Sequence, residues 1–115
     1  MTNSELLRDA LGLIGVLSEV ETPTAEQGAH GLRVLNEMME EWEEAGVRLE
    51  YTPQTSTAVD FPGPPYSHGA VKANFAIRLA AYYGGGASVS ESLVVQASEG
   101  YQRLLRRALT KGMRE

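Results

Sequence analysis

The segment from Thr24 to Gly46 carries a helix signal at each end and a single apolar stripe between them. Thr24-Ala25-Glu26-Gln27 fits a capping box, in which the threonine hydroxyl accepts a backbone N–H and the glutamine side chain reaches back. Leu32, Leu35, Met38, Met39 and Trp42 recur at three- and four-residue spacing, so they line one face. Gly46 suits the left-handed position that closes a helix. The spacing predicts a helix over about residues 25–45 whose stripe needs a partner to be stable in water.

Three further stretches share this period. Leu6, Leu7, Ala10, Leu11, Ile14 and Leu17 predict a helix over about 5–17, starting after Ser4. Gly12 and Gly15 fall inside it, and each costs about 1 kcal/mol against alanine. They mark either a close backbone approach or an early helix end. Val71, Phe75, Leu79, Ala80 and Tyr83 predict a helix over 68–83, stopped by Gly84-Gly85-Gly86. Leu93, Val94, Ala97, Tyr101, Leu104, Leu105 and Ala108 predict a helix over 90–110, opened by Ser88-Val89-Ser90-Glu91 as a second capping box.

Residues 47–66 change character. Val47, Leu49 and Tyr51 alternate with Arg48 and Glu50, and Pro62-Gly63-Pro64-Pro65 closes the stretch. A segment this long with little regular structure is usually functional or mobile. Residues 111–115 carry no core signal and read as a frayed or partner-bound tail. The predicted fold is mainly α, in one domain over residues 1–115. It has a four-helix bundle-like body, a long extended arm or short hairpin between the second and third helices, and a basic C-terminal tail.

A chain of 115 residues can bury a real core as one domain. It has no cysteine, which excludes disulfides, thiolate zinc sites and cysteine nucleophiles. No apolar run reaches the roughly 18 residues of a membrane span, and the first residues do not read as a secretory signal. Cytoplasm, or a particle assembled there, is the expected compartment.

The net charge of −5 opposes phosphate backbones. The charge is unevenly spread. Arg103, Arg106, Arg107, Lys111 and Arg114 sit near the C-terminus, and Glu37, Glu40, Glu41, Glu43 and Glu44 near the middle. Two solvated helix faces would account for this. Electrostatic pairing with a partner, another copy included, would also account for it.

Candidate chemistry is sparse. His30 and His68 are far apart in sequence and lack partners at metal-ligand spacing. Glu37, Glu40, Glu41 and Glu44 share a helical face, but the Glu-x-x-His motif of di-metal carboxylate sites is missing. The triple glycine has no GK[ST] after it and no strand before it, so it reads as a chain break. The basic residues of the last helix suit either phosphates or a partner's carboxylates. Aromatic interleaving is absent apart from Tyr101, and the acidic net charge favours the protein partner.

Three motifs then stand in order. Asp9-Ala10-Leu11-Gly12-Leu13-Ile14-Gly15-Val16-Leu17 is followed by Glu21-Thr22-Pro23-Thr24-Ala25-Glu26. Then comes Leu32-Arg33-Val34-Leu35-Asn36-Glu37-Met38-Met39-Glu40-Glu41-Trp42. This arrangement resembles the head-to-tail adaptor, or tail accessory, proteins of tailed bacteriophages. The second half is similar in outline: a Pro-rich turn with Tyr66, a helix ending Arg78-Leu79-Ala80-Ala81-Tyr82-Tyr83-Gly84, and an Arg-rich last helix. The middle departs from the family, where a longer β-containing segment is common.

The resemblance implies a structural protein of the virion neck, present in host cytoplasm during assembly. Such proteins form a twelve-fold ring of copies below the portal protein, seal the packaged DNA and offer a docking surface to a tail or nozzle protein. DNA lies nearby without sequence-specific contact, and neither an enzyme activity, a cofactor, a metal nor a membrane is expected. On this reading Arg103, Arg106, Arg107, Lys111 and Arg114 form a portal-binding tail. Leu49, Tyr51, Val59 and Phe61 form an inter-subunit arm, and Glu37, Glu40, Glu41 and Glu44 an acidic lateral face. The alternatives are a small helical DNA-binding or regulatory domain using the basic last helix, and a carboxylate-metal enzyme on Glu37, Glu40 and Glu41.

Overall fold

In a computed structural model, residues 1–18 and 20–114 are described, 112–114 by backbone alone. The described residues form four α-helices and no β-strand: α1 (Asn3–Leu13), α2 (Ala25–Glu44), α3 (His68–Tyr83) and α4 (Glu91–Arg114). The mainly helical, bundle-like body matches the sequence pattern.

The cap residues explain where each helix starts. At α2 the Gln27 N–H donates to Thr24 Oγ1 at 3.1 Å, and the Thr24 N–H donates to Gln27 Oε1 at 2.9 Å. Gly46, at φ 103°, ends the helix as its position predicts. Helix α1 starts earlier than the apolar stripe indicated, because Thr2 and Glu5 form a capping box of the same kind. The Thr2 N–H, donating to the Glu5 carboxyl at 3.0 Å, also holds that carboxyl below its usual range. Helix α1 stops at Leu13 rather than 17, so the glycines mark an early end. Ile14 and Leu17 remain buried beyond it.

Helix α4 differs at both ends from the sequence reading. Ser90, not Ser88, sits at its start, its Oγ accepting the Leu93 N–H at 3.1 Å. Its helical backbone continues through Arg114, so Lys111–Arg114 is an extension of the helix and not a frayed tail. Glu115 and the Arg114 side chain lie outside the described residues.

Helix α3 packs against all three other helices. Val71, Phe75, Ala76 and Leu79 are buried along it. Helix α4 crosses it antiparallel, and two contacts fix the register. Asn74 Nδ2 donates to the Ala97 carbonyl at 2.9 Å while also donating to Ala70 of its own helix at 2.8 Å. Gly100 lies against Ala70, where an added Cβ would stand 2.8 Å from the alanine Cβ.

The segment after α2 is extended, but it is not a free arm and forms no hairpin. It runs back across the body. The Asn3 N–H donates to the Val59 carbonyl, Ser4 to Thr57 and Phe61 to Met1, each at 2.9 Å. Asn36 anchors its middle, with Oδ1 accepting from the Gln54 N–H at 2.8 Å and from the Tyr51 hydroxyl. Asn36 Nδ2 donates back to the Gln54 carbonyl at 3.0 Å.

Of the four residues expected to reach a neighbour, Leu49 and Phe61 are buried at home, Tyr51 is half-buried and only Val59 is exposed. The reason is entropic. The chain's own apolar surface is already adjacent, and covering it costs no association entropy.

Two outcomes test this packing. Phe61→Ala should lower unfolding free energy by about 3–5 kcal/mol, measured by denaturant titration; a loss below about 1 kcal/mol would return Phe61 to an external role. Burial raises the Tyr51 phenol above its ordinary value of 10. The folded protein therefore keeps its proton where the unfolded chain has lost it, and stability falls as pH rises above that value. Tyr51→Phe should flatten this alkaline slope and cost about 1 kcal/mol at neutral pH.

Candidate interaction surface

Helix α4 has 24 residues and α3 has 16. Gly100 already lies near the start of α3, so the end of α4 runs past its partner. The 3-10 turn Pro65–Ser67, just before α3, supplies one last support. Its Tyr66 lies beneath the Arg107 guanidinium, 3.9 Å from the ring centroid. Beyond that point Leu109 is 61% exposed, and Thr110 and Lys111 are exposed as well.

The sequence-predicted basic residues are brought together by helical spacing. Arg103, Arg106, Arg107 and Lys111 are all exposed on α4. The three arginines and Tyr66 line a groove floored by Ala70 and Gly100. A guanidinium stacked on a phenol ring is held in place while its in-plane N–H groups stay free. Such donors match the paired oxygens of a carboxylate or phosphate. Helix α3 starts beside this groove with no acidic residue in its first turn. The Tyr66–Arg107 stack joins residues distant in sequence, and no local pattern foretells it.

The acidic residues lie on the opposite side of α2 from its buried stripe. Glu37, Glu40, Glu41 and Glu44 are all exposed. Two ion pairs occur among the described residues: Lys72 with Asp9 at 3.1 Å, and Arg78 with Glu41. Glu41 is thus committed to α3. Glu37, Glu40 and Glu44 take no part in either pair, and neither do the α4 arginines.

The other candidates have structural explanations. His30 packs edge-on against Tyr82, with ring centroids 4.4 Å apart. The His68 ring nitrogen Nε2 lies 3.1 Å from the Gly63 carbonyl. Gly84–Gly86 forms a 3-10 turn that joins α3 to the α4 approach. Among the described residues no group of three His, Asp or Glu is placed to hold a metal ion. No described helix is long and apolar enough to cross a membrane. No family model matches this chain, and no curated protein matches it.

Proposed function

We propose that this chain is a non-enzymatic assembly protein of a tailed-phage neck. It forms an adaptor ring that docks below the portal protein, seals packaged DNA and presents the attachment surface for a tail or nozzle protein. Its place is the virion neck, after assembly in host cytoplasm, and it uses no cofactor.

The observation that carries this reading is the overhang of α4. A helix that outruns its partner leaves apolar surface in water, here Leu109, beside the cation Lys111. A groove on another protein that covers the apolar side and supplies carboxylates stabilises such an end. The overhang is already helical, so less chain entropy is lost on docking than for a flexible tail. The motif order that resembles phage adaptors supplies the identity of the partner. A second reading is nucleic-acid binding, supported by the unpaired arginines of the α4 groove. The net charge of −5 and the lack of a row of exposed aromatics weigh against it.

Truncation tests the proposal. A chain ending at Ala108 should keep its helical circular dichroism and lose capture by purified portal rings at least about ten-fold, equivalent to about 1.4 kcal/mol, read by electron microscopy and pull-down. Normal portal capture by the truncated chain rejects the role of the overhang. Steeply salt-dependent binding of duplex DNA by the intact chain, without portal capture, favours the second reading.

A further inference from the structure

We propose that the Arg103–Arg106–Arg107 groove of one copy receives the acidic α2 face, Glu37, Glu40 and Glu44, of a second copy. This inference rests on the ring reading for its setting and names the surfaces by which neighbouring copies meet. It also divides the basic stripe between two tasks. The arginines beside the body serve the neighbour, and the overhang from Leu109 onward serves the other partner.

Charge complementarity commits the groove to this occupant. Both faces are exposed, of opposite sign, and unpaired among the described residues. Glu41, the acid already bound to Arg78, is left out. The acids at 37, 40 and 44 run about 10 Å along their helix and the groove arginines from 103 to 107 about 6 Å, at a rise of about 1.5 Å per residue. The acidic face is the longer of the two, so it covers the whole groove with at least one carboxylate at each end.

An exposed ion pair on its own contributes little. The groove differs from a loose pair because Arg107 is held in place on Tyr66, so less side-chain freedom is lost when it meets a carboxylate. A strand of nucleic acid could use the same arginines, but it would also approach a chain of net charge −5. The acidic helix of another copy is present at matched stoichiometry wherever this protein is. Because the faces differ, the contact is head-to-tail, the kind that closes into a ring or runs on as a filament.

A charge swap tests the contact with the full chain alone. One variant carries Glu37→Arg, Glu40→Arg and Glu44→Arg; the other carries Arg103→Glu, Arg106→Glu and Arg107→Glu. Sedimentation velocity at low ionic strength should show wild-type association that weakens roughly ten-fold as salt screens the faces. Each variant alone should be monomeric, since its two faces then carry like charge. An equimolar mixture should associate again, because every contact once more joins opposite charges. The single swaps Glu40→Arg and Arg106→Glu follow the same logic with smaller effects if a triple variant fails to fold by circular dichroism.

A wild-type chain that stays monomeric at millimolar concentration overturns the proposal, as does a mixture that associates no better than its components. Binding of a short fluorescent oligonucleotide in the groove, by a chain that shows no self-association under the same conditions, also overturns it, in favour of phosphate. Portal capture is scored separately. A chain that binds portal without self-association sinks this contact alone, and self-association without portal capture sinks the neck reading alone.

Discussion

Helix α3 has to be covered from several sides at once, and most of the architecture follows from that. Its length carries Val71, Phe75 and Leu79 for filling and Ala70, Ala73 and Ala76 for close approach, all of them buried. Alanines at a helix surface bring neighbouring backbones near, whereas larger residues hold them apart. Helices α1, α2 and α4 each supply one amphipathic stripe, so the three can surround α3 but cannot cover one another fully. The gap along α1 and α2 is closed by the extended segment through Leu49 and Phe61. The mismatch in helix length is left open, and it appears as the α4 overhang.

The forces joining α3 to its neighbours differ in kind. Ion pairs tie it to α1 through Lys72 and Asp9, and to α2 through Arg78 and Glu41. Its contact with α4 uses the Asn74 amide, the Gly100 approach and apolar packing of Leu93, Ala97 and Leu104. No charge of α4 is consumed by internal ion pairing among the described residues. That leaves a helix with a neutral inner face and a cationic edge toward its C-terminal end, on a protein whose densest acidic cluster lies on another helix. The separation gives each copy two unlike surfaces.

Local code was the legible part of the sequence. The α2 limits follow from Thr24, Gln27 and Gly46, residues that act on their own backbone. Thr2 and Glu5 hold the same information at α1, but the apolar stripe drew the start inward. Ser90 displaced Ser88 because two serines at similar spacing compete for one cap, and only the helix register decides between them. The alternation of Val47, Leu49 and Tyr51 correctly marks burial. It cannot say whose core is being covered, since period two is the same for a strap across its own body and an arm across a neighbour. The end of α4 was missed for a related reason: loss of core signal after Ala108 means loss of a packing partner, which is different from loss of helix. The basic and acidic clusters were visible as composition, whereas the groove with Tyr66 exists only once α3 and α4 are in register.

The Ala70–Gly100 contact has a mechanical meaning. Gly100 works as a notch, and Asn74 bridges the two helices beside it, bonded to a carbonyl on each. Together they resist sliding of α4 along its own axis, because any shift drives larger side chains into the space of the missing Cβ. Push or pull on the end beyond Arg107 is then carried as a rigid displacement into α3, and through its buried packing into α1 and α2. The overhang is in effect a lever with its pivot inside the core.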